Sequence, residues 1–492
     1  MSETTIGSPD GPPPRRDAVP RPSSPEVVSE REPRRFGFWT AYFLVVASMV
    51  GAGILTTSGY TLRDTGNPAA LIALWIVGGV MAICGGLTIV ELATRFPRVG
   101  GDYIFVREGF GRYAGIVAGW STFLLGFATP TALIARLAVD YLLVPFGGKR
   151  AFGEVAEPYL SPALASLLVI VIAATHGLGH QQSRWMQGVT TVGKLVVLLL
   201  LALLGISSGN GDWSHFEAGS WPRADQWPVL ATGLIYVGYA YTGWNAATYL
   251  AGEIREPRRL LPLATIAGCL SVLAIYLLLN VVYVYALDPV EMMQKGPEVE
   301  RVAELATQAL FGPQVTAGVV LLLGVGLVAS VSAYLLAGPR VAVAMARDGV
   351  FPAIGGWLHP TRGTPIPATF IQAAFAIVVL WSGSFKAILD YASVGLSAIA
   401  ALVIVSIFPI RWRDRISLPA SIPSNEKAAA YYRMPFYPLP PLLFLTLSAW
   451  TIISTLLQER SFLPSLLSLL TIVTCVVVAR FVGGKGASHE PE

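Results

Sequence analysis

Apolar residues in this chain run in blocks of about 20, separated by short polar stretches. A block of that length crosses the ~30 Å hydrocarbon layer of a bilayer as an α-helix, whereas a barrel strand would show ~10 alternating residues. The pattern predicts an all-α polytopic membrane protein. Twelve transmembrane helices are expected, near residues 38–62, 69–95, 113–143, 161–180, 185–207, 229–252, 262–287, 314–346, 366–382, 386–410, 436–457 and 462–482. The third and eighth are long enough to tilt or protrude. Residues 1–35 hold eight prolines and six arginines but no apolar core, which predicts a disordered tail and no signal peptide.

Composition agrees: 54% of residues are hydrophobic and 13% charged, about half the charge of an ordinary soluble domain. The net charge of +4 carries no nucleic-acid signal; its distribution is the informative part. Of the 34 lysines and arginines, 24 fall on the connections and span ends of one side and eight on the other. Basic residues collect on the cytoplasmic side, so both termini are expected there, in the cytoplasmic membrane. Cys84, Cys269 and Cys475 each lie within an apolar block, so neither a disulfide framework nor a metal cluster is expected. With no nucleotide loop or nucleophile elbow either, no cofactor and no enzymatic activity are expected.

Two spans are interrupted. The first carries Ser48-Met49-Val50-Gly51-Ala52-Gly53-Ile54-Leu55, and the sixth carries Tyr239-Ala240-Tyr241-Thr242-Gly243-Trp244-Asn245. Glycine at mid-membrane permits local unwinding. Unwound backbone there must line a cavity or be buried in protein, because lipid satisfies neither N–H nor C=O. The N-terminus of the resumed helix offers N–H donors and positive dipole to a carboxylate, and the freed carbonyls suit an ammonium. Two breaks five helices apart fit an inverted repeat of helices 1–5 and 6–10. Close helix packing at small residues is the alternative for Gly51 and Gly53.

Four segments resemble the amino acid–polyamine–organocation superfamily, nearest its amino-acid permeases and light-chain-like exchangers. They are Val50–Ile54, Glu91–Tyr103, Tyr239–Pro257 and Gly338–Gly349, within a ten-helix core at residues 36–410. The resemblance implies a secondary amino-acid transporter working by alternating access. Its first repeat would be residues 36–207 and its second 208–410, with two additional helices at 411–482 and a cytoplasmic tail at 483–492. It also implies a carboxylate site on the N–H groups of Ala52, Gly53 and Ile54, and an ammonium site on the carbonyls of Met49, Tyr239 and Thr242. Ala52 departs from the serine or threonine frequent there. Tyr239 matches an aromatic that closes over the substrate; Trp244 and Asn245 would line the side-chain pocket, Trp244 as part of the gate.

Lys194 interrupts the fifth span, at a cost of about 2.5–3.5 kcal/mol that needs a reason. Snorkelling would require a reach of some ten residues. In similar permeases a lysine here replaces a sodium ion, with Ser330 and Ser332 as candidate partners. The resemblance thus implies sodium-independent transport, by exchange or by proton symport. Glu91 with Arg340 and Arg347 are candidates for a cytoplasmic gate. Arg136 and Asp140 have the i,i+4 spacing of a structural pair, His176 reads as a satisfied core histidine, and Glu253 and Arg255 belong to an inner loop.

A polyamine carrier would place acidic residues in the cavity, yet the broken segments supply none, and helices 3 and 8 add none at an obvious mid-depth position. A channel fits paired breaks poorly; a non-transporting amino-acid sensor fits them equally well. Residues 144–160 contain no cysteine, so no disulfide-linked heavy chain is expected there, and the protein would work as monomer or homodimer.

Overall fold

The computed structural model describes residues 36–97, 100–153, 157–177, 183–223, 226–251, 254–417 and 431–483. The expected N-terminal tail, the C-terminal tail beyond Gly483, and Glu253 lie outside them. Every named element among the described residues is helical, joined by one isolated backbone bridge between Phe36 and Ile254. In chain order the α-helices are α1 (Phe38–Met49), α2 (Gly53–Thr65), α3 (Pro68–Arg95), α4 (Asp102–Phe110), α5 (Arg112–Ser121), α6 (Thr129–Leu143), α7 (Glu157–Gly177), α8 (Ser183–Ser207) and α9 (Trp227–Ala240). They continue as α10 (Pro257–Ala286), α11 (Pro289–Gln294), α12 (Val302–Arg347), α13 (Ile366–Leu380), α14 (Phe385–Val405), α15 (Ile407–Ser417), α16 (Leu439–Leu456) and α17 (Glu459–Gly483). Eight helices among the described residues are long and apolar enough to cross a membrane, and the bent pair α1–α2 makes a ninth. The apolar segments Val192–Ser207, Trp227–Ala240 and Ile366–Leu380 are shorter.

Local chemistry sets the ends and bends. Asn67 caps α3 by accepting from the Ala70 N–H at 2.7 Å, and Pro68 opens the helix where its missing N–H costs nothing. Ser384 caps α14 in the same way. Between α5 and α6, Thr122–Ala128 widens into a π-turn just before Pro130, which has no N–H to donate back into it. The Thr129 hydroxyl takes up the Leu124 carbonyl there, at 3.0 Å. Gly312 (φ 76) and Pro313 bend α12 before its apolar stretch begins.

The helices pack α3 along α10, α6 along α12, α1 along α10 and α2 on α9, with α8 lying against α12 and α10. Helix α16 covers α3 and α9, and α17 covers α5 and α14. Leu203, Val378 and Val473 are among the exposed apolar side chains of the outer surface. Against water such a surface would aggregate; against lipid tails it costs nothing.

Two charged groupings differ from expectation. Glu91 is fully buried and accepts from Arg95 (2.9 Å), from Arg411 on α15 and from the Met434 N–H (2.8 Å). It is a joint between α3, α15 and the segment leading to α16, and it does not pair with Arg340, which stands exposed on α12. Arg136 and Asp140 also turn to other partners, the Gly383 carbonyl for one and the Ser161 hydroxyl for the other. The reason is shared: i,i+4 spacing or a common membrane face brings charges near, but the deepest available donor or acceptor takes them.

Removing one member of a buried ion pair leaves the others uncompensated, at a cost of about 3–5 kcal/mol. Glu91→Ala should therefore lower the detergent melting temperature markedly, with Glu91→Gln intermediate because the amide oxygen still accepts. An unchanged melting temperature would remove Glu91 from this structural role.

Candidate functional site

Both predicted breaks are present. Helix α1 ends at Met49 and α2 resumes at Gly53 after a bend of 42°. Helix α9 ends at Ala240, the chain turns through Gly243 (φ 110), and a 3₁₀ segment follows at Ala246–Leu250. The breaks meet backbone to backbone. A Cβ on Gly53 would lie 2.3 Å from the Ala240 Cα, and one on Gly243 would lie 2.6 Å from the Ser48 carbonyl. Gly51 is under no such constraint; its nearest outside atom would be the Met49 oxygen at 4.0 Å. Close packing and unwinding thus coincide at Gly53 and Gly243.

Side chains occupy several of the carbonyls that the breaks release. The Tyr276 hydroxyl, fully buried on α10, lies 2.8 Å from the Met49 oxygen and 3.1 Å from the Ala240 oxygen, so one donor serves both breaks. The Tyr239 carbonyl accepts from the N–H and the hydroxyl of Thr242, within its own turn. The Val50 carbonyl accepts from Lys194. At the start of α2, Ala52 supplies no side-chain cap, so the first N–H groups of that helix have no intrahelical partner.

Lys194 is buried, 4% exposed, and its ammonium spans from the Val50 carbonyl to the Ser330 hydroxyl at 3.1 Å. Its methylenes lie over Gly326, where a Cβ would come within 3.2 Å. The lysine therefore ties the first break to α12 from α8. Ser332, the other expected partner, faces elsewhere: its hydroxyl is 2.9 Å from the His176 Nε2. Two residues apart on a helix points them about 200° apart, so only one serine can face the lysine. His176 is satisfied by that contact.

A cavity of about 580 Å³ begins beside these groups. Its lining includes Ser48, Lys194, Gly243 and Ser330, together with Trp244, Asn245, Asp102, Thr40 and exposed Arg340. Tyr239 and the residues Met49, Ala52, Gly53 and Ile54 are buried behind its wall rather than on it. Trp244 packs edge-on against Phe444, 5.9 Å between centroids, and fills the space left by Gly85. Outside the cavity lining, a second polar cluster joins α2, α9 and α14. Tyr60 donates to Glu300 at 3.3 Å, Tyr236 donates to Asp390, and Asp390 also takes Lys386 (3.0 Å) and Ser461 (3.1 Å).

Two residues of the site escaped the sequence reading. Tyr276 sits mid-span between Ile275 and Leu277, where a hydroxyl with no polar neighbour in sequence signals a distant acceptor. Asp102 belongs to the Gly-Gly-Asp-Tyr stretch in the connection before the third span, and only the fold brings it to the cavity. Gly100 (φ 132) and Gly101 (φ 47) make the turn, and the Tyr249 ring stands 2.0 Å from where a Gly101 Cβ would be. Asp102 Oδ2 accepts from Thr122 and from Tyr249, both at 3.2 Å, while Oδ1 is buried without a partner. Burial pushes this carboxyl up to about 6, against the opposing pull of hydrogen bonds from Tyr249, Thr122 and Asn245.

Among known proteins, the serine/threonine exchanger SteT of Bacillus subtilis is 27% identical over 434 residues, covering 87% of this chain and 92% of that protein. The Asc-type amino acid transporter 1 of Mus musculus is 26% identical, over 77% of this chain and 71% of its own length. The large neutral amino acids transporter small subunit 2 of Homo sapiens is 26% identical, over 80% and 72%. The pattern that defines the amino acid permease family matches residues 36–478, nearly the whole described chain, and the chain is a member of that family.

Proposed function

We propose that this protein exchanges neutral amino acids across the cytoplasmic membrane by alternating access, without sodium. One observation carries the reading most: Lys194 places a tethered cation on the Val50 carbonyl at the first break, within reach of Ser330. A cation fixed there does electrostatically what a bound sodium would do, so none needs to be recruited. The two breaks touching at Gly53 and Gly243 supply donors and acceptors for the carboxylate and ammonium that all α-amino acids share. Exchange and neutral cargo are taken from the relatives, one named as a serine/threonine exchanger and another as a large neutral amino acids transporter.

In this reading the three shorter apolar segments also span, giving twelve helices with both termini cytoplasmic, as the basic residues favour. Helices α1–α8 and α9–α14 form the two inverted repeats. The cavity reaching Arg340 is then open to the cytoplasm, while the Tyr60–Glu300 and Tyr236–Asp390 bonds close the outer end. The substrate carboxylate sits on the N–H groups of Ala52, Gly53 and Ile54 once Tyr239 moves off them.

Two measurements test this. Counterflow of serine in proteoliposomes should persist when choline replaces sodium, and Lys194→Met should reduce it by about tenfold or more, since the Val50 carbonyl loses its cation. Loss of wild-type flux in choline would refute sodium independence, and a chain that binds serine without any counterflow would be a sensor. Gly243→Ala forces a Cβ into the Ser48 backbone and should abolish counterflow while the protein still inserts. Wild-type rates in that variant would mean the contact between the breaks is dispensable.

A further inference from the structure

The transport reading leaves Asp102 without a task. Its side chain flanks the cavity in the connection between α3 and α5, 5% exposed, with Oδ1 shut off from solvent and from every donor among the described residues. Its other oxygen is held by neutral groups, Thr122 of the π-turn and Tyr249 of the 3₁₀ segment, and the neutral Asn245 amide also draws on the carboxyl. The Asn245 amide, at the second break, donates to Tyr249 at 3.4 Å. The cluster thus joins the buried carboxyl directly to one of the two breaks.

Charged groups on the surrounding elements are directed elsewhere. On α4 itself, Arg107 and Tyr103 bond Asp348 at the end of α12, each at 2.6 Å. On α12, Arg340 lines the same cavity and Tyr334 shares the Phe127 ring with Tyr249, while Lys194 of α8 is held by Val50 and Ser330. Helix α15 sends Arg411 to Glu91 and Arg413 to the Glu108 carbonyl, and Asp414 pairs with Arg95. Lys386 and Asp390 of α14 bond each other in the second polar cluster. Arg112 and Tyr113 begin α5 at the surface.

We propose that Asp102 is a proton-binding site, and that its protonation stabilises the arrangement seen here, in which the cavity reaches Arg340 and Oδ1 is closed off, as a step the transport cycle must pass through. An ionised carboxylate with one oxygen buried and unpaired is costly, so the anion favours arrangements in which water reaches Oδ1. The neutral acid has no such demand, and it can donate to the Tyr249 oxygen or the Asn245 side-chain oxygen as well as accept. Burial places the carboxyl near 6, so the change of state falls at mildly acidic pH. Above that midpoint the protonated fraction falls about tenfold per pH unit.

This inference rests on the transport reading, and one experiment separates the two. Serine counterflow by the full chain in proteoliposomes is measured from mildly acidic to mildly alkaline pH, with equal pH on both faces. The wild-type rate should fall by about tenfold or more across that range. Asp102→Asn, permanently neutral, should keep the acid-side rate throughout, and Asp102→Glu should still titrate. A wild-type pH profile in Asp102→Asn would overturn the proposal, as would an Asp102→Asn protein that is well folded yet inactive at every pH. Loss of lysine counterflow alone in Asp102→Asn would make the residue a cationic-substrate subsite instead. No serine counterflow by the wild type at any pH would overturn the transport reading together with this one.

Discussion

A helix broken inside an apolar bundle exposes peptide groups that nothing but protein can satisfy, and most of this site follows from that constraint. Several freed carbonyls find a specific donor: Tyr276 for Met49 and Ala240, Thr242 for Tyr239, Lys194 for Val50. The donors come from three different places, α10, the turn itself and α8, so satisfying the breaks also fixes the positions of those helices. An unpaired peptide carbonyl in such surroundings costs several kcal/mol. Keeping two breaks therefore requires a surrounding bundle that places its few buried polar side chains accurately.

The breaks and the buried lysine were legible because each violates a strong local expectation. Glycines amid polar residues interrupt a span, and an ammonium eighteen residues from the next charged residue on its C-terminal side, Asp212, demands a partner. What periodicity does not carry is the rotation of one helix about its axis relative to another. Ser330 and Ser332 look equivalent in sequence, and only packing turns the first toward Lys194 and the second toward His176. Glu91 and Arg340 failed as a pair for a similar reason: hydropathy places both near one membrane face, but says nothing about the lateral distance between α3 and α12. Asp102 was passed over because it lies in a connection, where an acidic residue usually means solvation; two glycines fold that connection back against the bundle.

In the transport reading, the two ends of the pathway are built from different chemistry. The sealed end uses tyrosine hydroxyls on carboxylates, with the Tyr60 and Tyr236 rings 6.1 Å apart, so aromatic contact and hydrogen bonding act together. The open end is bordered by α1, α12, α14 and the Asp102 cluster, where Tyr249 and Asn245 supply weaker, longer bonds. Opening the first end means separating charge-assisted bonds in an apolar setting, whereas the second holds a carboxyl oxygen that is already dry. These are unlike costs, and they respond to unlike conditions.

The contact of Gly53 with Ala240 and of Gly243 with Ser48 has a mechanical consequence. Side chains are the compliant part of a helix interface, because rotamers absorb small displacements, whereas backbones in direct touch have nothing to absorb with. The crossing of the two broken helices therefore behaves as a shared axle. Torque applied to α1 or α2 reaches α9 at full amplitude, and neither broken helix can swing while the other stays at rest.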